Sequence, residues 1–135
     1  MKELPGLYFR IRDNGAFVFR LDTENRQRRL DLEHVATVNI GKGEFKTQGD
    51  RKLEPAEVDE IRAWIIARRE VLAQREFDEA LGMIEQMNLT TQWLQSRADD
   101  AQVDAVTEGL LMAMHDLRGV LVRRRADRST KDAAD

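Results

Sequence analysis

The stretch LYFRIRDNGAFVFRL, residues 7–21, decides the fold class. Leu7, Phe9 and Ile11 alternate with Tyr8, Arg10 and Arg12, and Phe17, Phe19 and Leu21 alternate with Ala16, Val18 and Arg20. Successive side chains on a strand point to opposite faces, so a period of two marks half-buried strands. Asp13-Asn14-Gly15 between the two runs reads as a hairpin turn. A slip of one residue exchanges the faces, so the apolar match selects the loop length. A two-residue Asn14-Gly15 loop sets Phe19 against Arg10 and Phe17 against Arg12. A three-residue Asp13-Asn14-Gly15 loop instead pairs Ile11 with Phe17, Phe9 with Phe19 and Leu7 with Leu21, all on one face. That is the expected register, with Gly15 in the left-handed position of a bulged turn.

Outward from this hairpin the pattern continues. Arg28 to Leu32 reads as a third strand with Leu30 and Leu32 inward, and Val35 to Ile40 as a fourth with Ala36, Val38 and Ile40 inward. Glu44 to Thr47 is a short fifth, and a Gly41-Lys42 turn sets Val38 opposite Phe45. Residues 1–53 are thus expected to form an antiparallel β-meander of about five strands with one apolar face that needs a cover.

Past the polar linker 49–54 the period changes. Pro55 suits the first turn of a helix, where its missing N–H has no partner to lose, and Glu57, Asp59 and Glu60 complement the positive end of the helix dipole. Val58, Ile61, Trp64, Ile65 and Leu72 give the apolar face expected to cover the sheet. Phe77, Ala80, Ile84, Met87, Thr91 and Leu94 continue at three-four spacing in a different phase, which predicts a break between Ala73 and Glu76. Asp99, three residues before Gln102, resembles a capping box. Val103, Val106, Leu110, Ala113, Leu117 and Val120 then repeat as a narrow coiled-coil-like seam, widened by Leu111, Met114 and Leu121. Arg123 to Arg125 should close that helix. The expected fold is therefore α+β: the meander over 1–53, a covering helix plus a long αα-hairpin over 54–125, and a flexible polar tail over 126–135.

Composition narrows the function. The chain of 135 residues has no cysteine, which removes disulfides, thiolate metal sites and a cysteine nucleophile. Together with an N-terminus that has no signal-like apolar stretch, and apolar runs far too short to span a bilayer, this predicts a cytoplasmic protein with no membrane partner. Arginine is strongly preferred to lysine, the bias of a GC-rich coding genome, which suggests a bacterial source. The net charge of −3 is segregated: residues 1–54 carry 11 basic and 9 acidic groups, residues 55–122 carry 6 and 13, and residues 123–135 carry 5 and 3. The acidic helical half disfavours nucleic-acid binding along its length and leaves the sheet and the basic end open.

Sequence motifs for catalysis are missing. His34 and His115 stand in no metal-ligand spacing and read as surface residues. Glu76, Asp78 and Glu79 read as a solvated helix face, Asp99 and Asp100 as caps, and Ser96 and Ser129 lie in no nucleophile turn. Met83, Met87, Met112 and Met114 read as core filler. No enzyme activity and no cofactor are expected.

Two surfaces carry the functional expectation. Two helices alone cannot cover the apolar stripes of the hairpin from all sides, so a non-enzymatic interaction or regulatory protein is expected. It would be a homodimer joined through Val103, Val106, Leu110, Met114, Leu117 and Leu121 as a four-helix bundle, with its sheet free for a protein partner. The alternative is a nucleic-acid-binding module using the polar sheet face: Tyr8, Arg10, Arg12 and Arg20, with Arg28 and Arg29 from the third strand.

Overall fold

A computed structural model describes residues 6–22 and 31–134. It is α+β, with four antiparallel strands followed by two long helices: β1 Leu7–Arg12, β2 Gly15–Asp22, β3 Asp31–Asn39, β4 Glu44–Thr47, α1 Pro55–Ser96 and α2 Asp100–Ala134. The strands form one meander in the order β1-β2-β3-β4. The chain divides into two compact units, residues 1–80 and 81–135.

The expected third and fourth strands are one. From Asp31 to Asn39 the chain runs on as β3, and where β2 passes from Val18 to Phe19 the pairing skips Val35, a β-bulge. Both Val35 and its neighbour Ala36 are buried, so the bulge lets two consecutive residues turn inward. Residues 28–30 of the expected third strand lie outside the described residues. The turn into β4 agrees with expectation, since Val38 pairs with Phe45.

The register of the first hairpin differs from the expected one. Arg12 pairs with Gly15, Ile11 with Ala16, Phe9 with Val18 and Arg10 with Phe17, so the loop is Asp13-Asn14. Asn14 is fastened to the neighbouring turn: its carbonyl accepts the Ile40 N–H at 2.8 Å and its side-chain oxygen accepts the Gly41 N–H at 3.1 Å. Gly15 therefore opens β2 rather than closing a bulged turn. A Cβ at this position would lie 1.8 Å from the Val38 carbonyl oxygen, so only glycine fits.

The new register reverses the faces of β2. Ala16 and Val18, not Phe17 and Phe19, point to the core with Leu7, Val35, Ala36, Val38 and Ile40, against Ile61 and Ile65 of α1. Phe9 stacks on Trp64 with ring centroids 4.6 Å apart and planes 5° apart. Small side chains on β2 and β3 let the helix approach closely, and the bulky isoleucines come from the helix side. The expected covering role of Ile61, Trp64, Ile65 and Leu72 is met. Burying Ile61 and Ile65 contributes roughly 1.5–3 kcal/mol each.

Two arginines fix the helix over the sheet. Arg20 meets the Glu57 carboxylate with two hydrogen bonds, Nε at 2.8 Å and Nη2 at 2.9 Å, while Nη1 reaches Glu33 at 3.1 Å and Nη2 the Lys52 carbonyl at 3.0 Å. Arg51 also pairs with Glu33. Glu57 accepts in addition the Glu54 N–H at 2.9 Å, so the carboxylate that caps the first turn of α1 also anchors it to β2. Further along, Arg69 donates to the carbonyls of Ile40 and Gly41, each at 3.1 Å, and ties α1 to the β3–β4 turn.

The predicted break in the first helix is absent, and the second helix is longer than expected. The first helix runs without interruption through Ala73–Glu76, which are good helix formers with no glycine or proline among them, so the covering helix and the first hairpin arm are one element. The second runs on to Ala134 through residues expected as a frayed tail. Asp127 and Lys131, like Arg128 and Asp132, are spaced to pair along that helix.

The Arg20 guanidinium, and then the Glu54 N–H, hold the Glu57 carboxyl below the usual carboxylate range against the opposing effect of burial. A depressed folded value means that the contribution to stability is present at neutral pH and is lost as pH falls through the carboxylate range. Glu57→Gln should cost roughly 1.5–3 kcal/mol at pH 7 in urea unfolding, and the difference from the parent chain should shrink steadily toward pH 3. An equal difference at both pH values would contradict the pairing.

Candidate interaction surfaces

The face of the sheet away from α1 is aromatic and cationic. Register places Tyr8, Arg10 and Arg12 of β1, Phe17 and Phe19 of β2, and His34 and Thr37 of β3 on it. The Arg10 guanidinium lies 4.5 Å from the Phe19 ring centroid and 5.9 Å from that of Tyr8, and the Arg12 guanidinium lies 4.7 Å from that of Phe17. The His34 ring sits between the two phenylalanines, 5.0 Å from Phe17 and 5.1 Å from Phe19. Its Nε2 lies 2.9 Å from the Ala36 carbonyl, which can only accept, so Nε2 carries a proton and donates it there. The Thr37 hydroxyl is 3.3 Å from the same nitrogen. His34 is thus a half-buried member of a ring cluster, not the surface residue expected.

Of the residues expected on a polar face, Tyr8, Arg10 and Arg12 are together and exposed. Arg20 is on the opposite face, paired across from Leu7 rather than Tyr8, and its donors are taken by Glu57, Glu33 and Lys52. It holds α1 against β2. Arg28 and Arg29 lie outside the described residues. The sequence reading missed Phe17, Phe19 and His34 here because it assigned both phenylalanines to the core. The available signal was size: Ala16 and Val18 are the smaller pair, and the helix needed the smaller pair beneath it.

The unit of residues 81–135 carries the second surface. The turn between the helices is built as expected, since the Asp99 carboxylate accepts the Gln102 N–H at 2.8 Å and the Gln102 side chain accepts the Asp99 N–H at 3.1 Å. Near this turn Trp93, Leu94, Val103 and Val106 are half-buried. Away from it the cover fails: Leu110 is 39% exposed, Leu117 46% and Leu121 58%. Met114 and Val120 are exposed in the same way, as are Leu81, Ile84 and Met87 on the last turns of α1. Met83, Met87, Met112 and Met114, expected as core filler, are all exposed. Intrachain packing closes only the turn end of the hairpin.

Among the described residues no group of histidine and carboxylate side chains is arranged to hold a metal ion, and no helix is long and apolar enough to cross a membrane. A surface hollow of about 470 Å³ is lined by side chains of α2 alone, including Leu121, Arg124 and Arg128. No family model, curated protein or solved structure matches the chain.

The reciprocal Asp99–Gln102 cap satisfies two N–H groups at the start of α2. Asp99→Ala should lower stability by about 1 kcal/mol and speed amide exchange in the first turn of α2, with the sheet amides unchanged. Unchanged exchange at residues 101–103 would show that the cap is dispensable.

Proposed function

We propose that the protein is a non-enzymatic, self-associating interaction protein whose homomeric contact is the apolar stripe of α2, the αα-hairpins of two copies forming a four-helix bundle. The observation that carries this is the exposure of Leu110, Met114, Leu117, Val120 and Leu121 in a row along one helix. Contiguous apolar patches of this kind mark contact surfaces, whereas single exposed apolar residues are ordinary.

Magnitudes support a second copy as the cover. Half a dozen large side chains per copy, each about half exposed, would contribute on the order of 10–20 kcal/mol to a dimer when buried. The loss of free translation and rotation opposes this by roughly 4–15 kcal/mol. The upper part of the first range exceeds the second, so the stripe is of the size that a dimer needs.

The charge pattern selects the direction. The first half of α2 carries Asp100, Asp104 and Glu108, and the second half Arg118, Arg123, Arg124, Arg125 and Arg128. A parallel pair would place like against like. An antiparallel pair in which residue numbers in contact sum to about 223 sets Val103 on the partner's Val120, Val106 on the partner's Leu117 and Leu110 on the partner's Ala113. The same register brings Asp100 toward the partner's Arg123 and Asp104 toward the partner's Arg118. Apolar register and charge register thus coincide toward the ends of the contact, whereas nearer its middle Glu108 approaches the partner's Asp116, and the small Gly109 and Ala113 lie near the axis, where the backbones must come closest.

The cysteine-free chain makes the test direct. Light scattering at micromolar concentration should give twice the chain mass, and Leu110→Glu with Leu117→Glu should reduce it to one while the sheet stays folded. A short bifunctional maleimide should join a mixture of Val103→Cys and Val120→Cys chains, and neither variant alone. Self-linking of Val103→Cys would contradict the antiparallel direction, and a parent chain that scatters as one copy would contradict self-association itself.

A further inference from the structure

The outer face of the sheet is independent of the helical contact and carries its own chemistry. Arg10 and Arg12 are exposed, and neither forms a salt bridge or a hydrogen bond through its guanidinium among the described residues. The Arg10 guanidinium lies instead over the Phe19 ring and that of Arg12 over the Phe17 ring. Cation–ring contact holds a guanidinium without using its N–H donors, which leaves those donors to solvent. Lys46 adds a third cation on the same face, paired across the sheet from Thr37, and among the described residues register places the Glu44 carboxylate beside it. Tyr8 contributes an exposed ring next to Arg10.

We infer that this face binds single-stranded nucleic acid, with phosphates on the Arg10, Arg12 and Lys46 cations and bases stacked on the Tyr8 ring and on the outer planes of the two guanidiniums. Three features select that ligand. Unused N–H donors on fixed guanidiniums suit phosphate oxygens. Arg10 and Arg12, two residues apart on one strand, are spaced by about 6.7 Å, comparable to the step between phosphates of an extended single strand. A shallow sheet lined with rings and arginine planes gives unstacked bases a platform, and it offers no helix to enter a duplex groove. An acidic peptide would use the cations but leave the exposed Tyr8 ring without a role.

Fluorescence anisotropy with labelled oligothymidylate and oligouridylate of about twelve nucleotides tests this. Both the parent chain and an Arg124→Ala, Arg128→Ala variant should bind equally, with a log–log salt slope of about −2 for three neutralised phosphates. Arg10→Ala with Arg12→Ala should weaken binding at least tenfold. Arg10→Lys with Arg12→Lys keeps the charge and loses the plane, so it should keep the slope while weakening binding several-fold. Thermal unfolding checks that these exposed substitutions leave the fold intact. The tighter of the two oligonucleotides would name DNA or RNA as the source. Several results would overturn the inference: no binding at low salt, double variants that bind like the parent, a duplex of equal length bound as tightly, or polyglutamate displacing the oligonucleotide at equal charge.

Discussion

Ile61 and Ile65 pack over a sheet face built from small side chains, and most of the N-terminal architecture follows from that fit. Close approach of α1 requires Ala16, Val18, Ala36 and Val38 beneath it. Once those residues face inward, alternation sends Phe17 and Phe19 to the other side, where they meet His34 and the guanidiniums of Arg10 and Arg12. Phe19 is only 8% exposed although it is not on the helix side. The sheet therefore has two covered faces of different kinds: one packed under a helix by aliphatic side chains and the Phe9–Trp64 stack, the other a layer of rings beneath cations.

Electrostatics reinforces the same fit. Arg20 sits at the border of the core and satisfies Glu57, Glu33 and a linker carbonyl together. Glu57 in turn starts α1. Helix start and helix position are thereby set by one carboxylate, and Arg69 repeats the arrangement at the opposite turn of the sheet. Among its described residues the helical unit shows no comparable anchor. Its cap fixes the turn, its first apolar residues close on each other, and the remainder of the stripe faces solvent within the single chain.

Much of this was legible in the residues. The α+β class, the strand–turn–strand order, the covering stripe of Ile61, Trp64 and Ile65, the Val38–Phe45 pairing and the Asp99–Gln102 cap all follow from period and cap chemistry. The first hairpin was misread because the apolar match assumes one wet face. Here both faces carry apolar groups, so the match does not choose between registers, and side-chain size does. The β3 bulge was hidden because Val35 and Ala36 interrupt strict alternation, which reads as two strands. Continuity of α1 through Ala73–Glu76 was obscured by a change in phase, which reflects a change in what the helix faces, not a break in its backbone. Of the residues expected to meet a partner, Tyr8, Arg10 and Arg12 stand together on the outer sheet face, whereas Arg20 is committed to the fold.

The exposed α2 stripe makes one demand of the proposed assembly: it becomes covered when two copies meet. Hydrogen–deuterium exchange of residues 106–121, followed from nanomolar to tens of micromolar chain, tests this most directly. Protection there should rise with concentration while the sheet amides keep constant protection. Exchange in α2 that is the same at every concentration would contradict it.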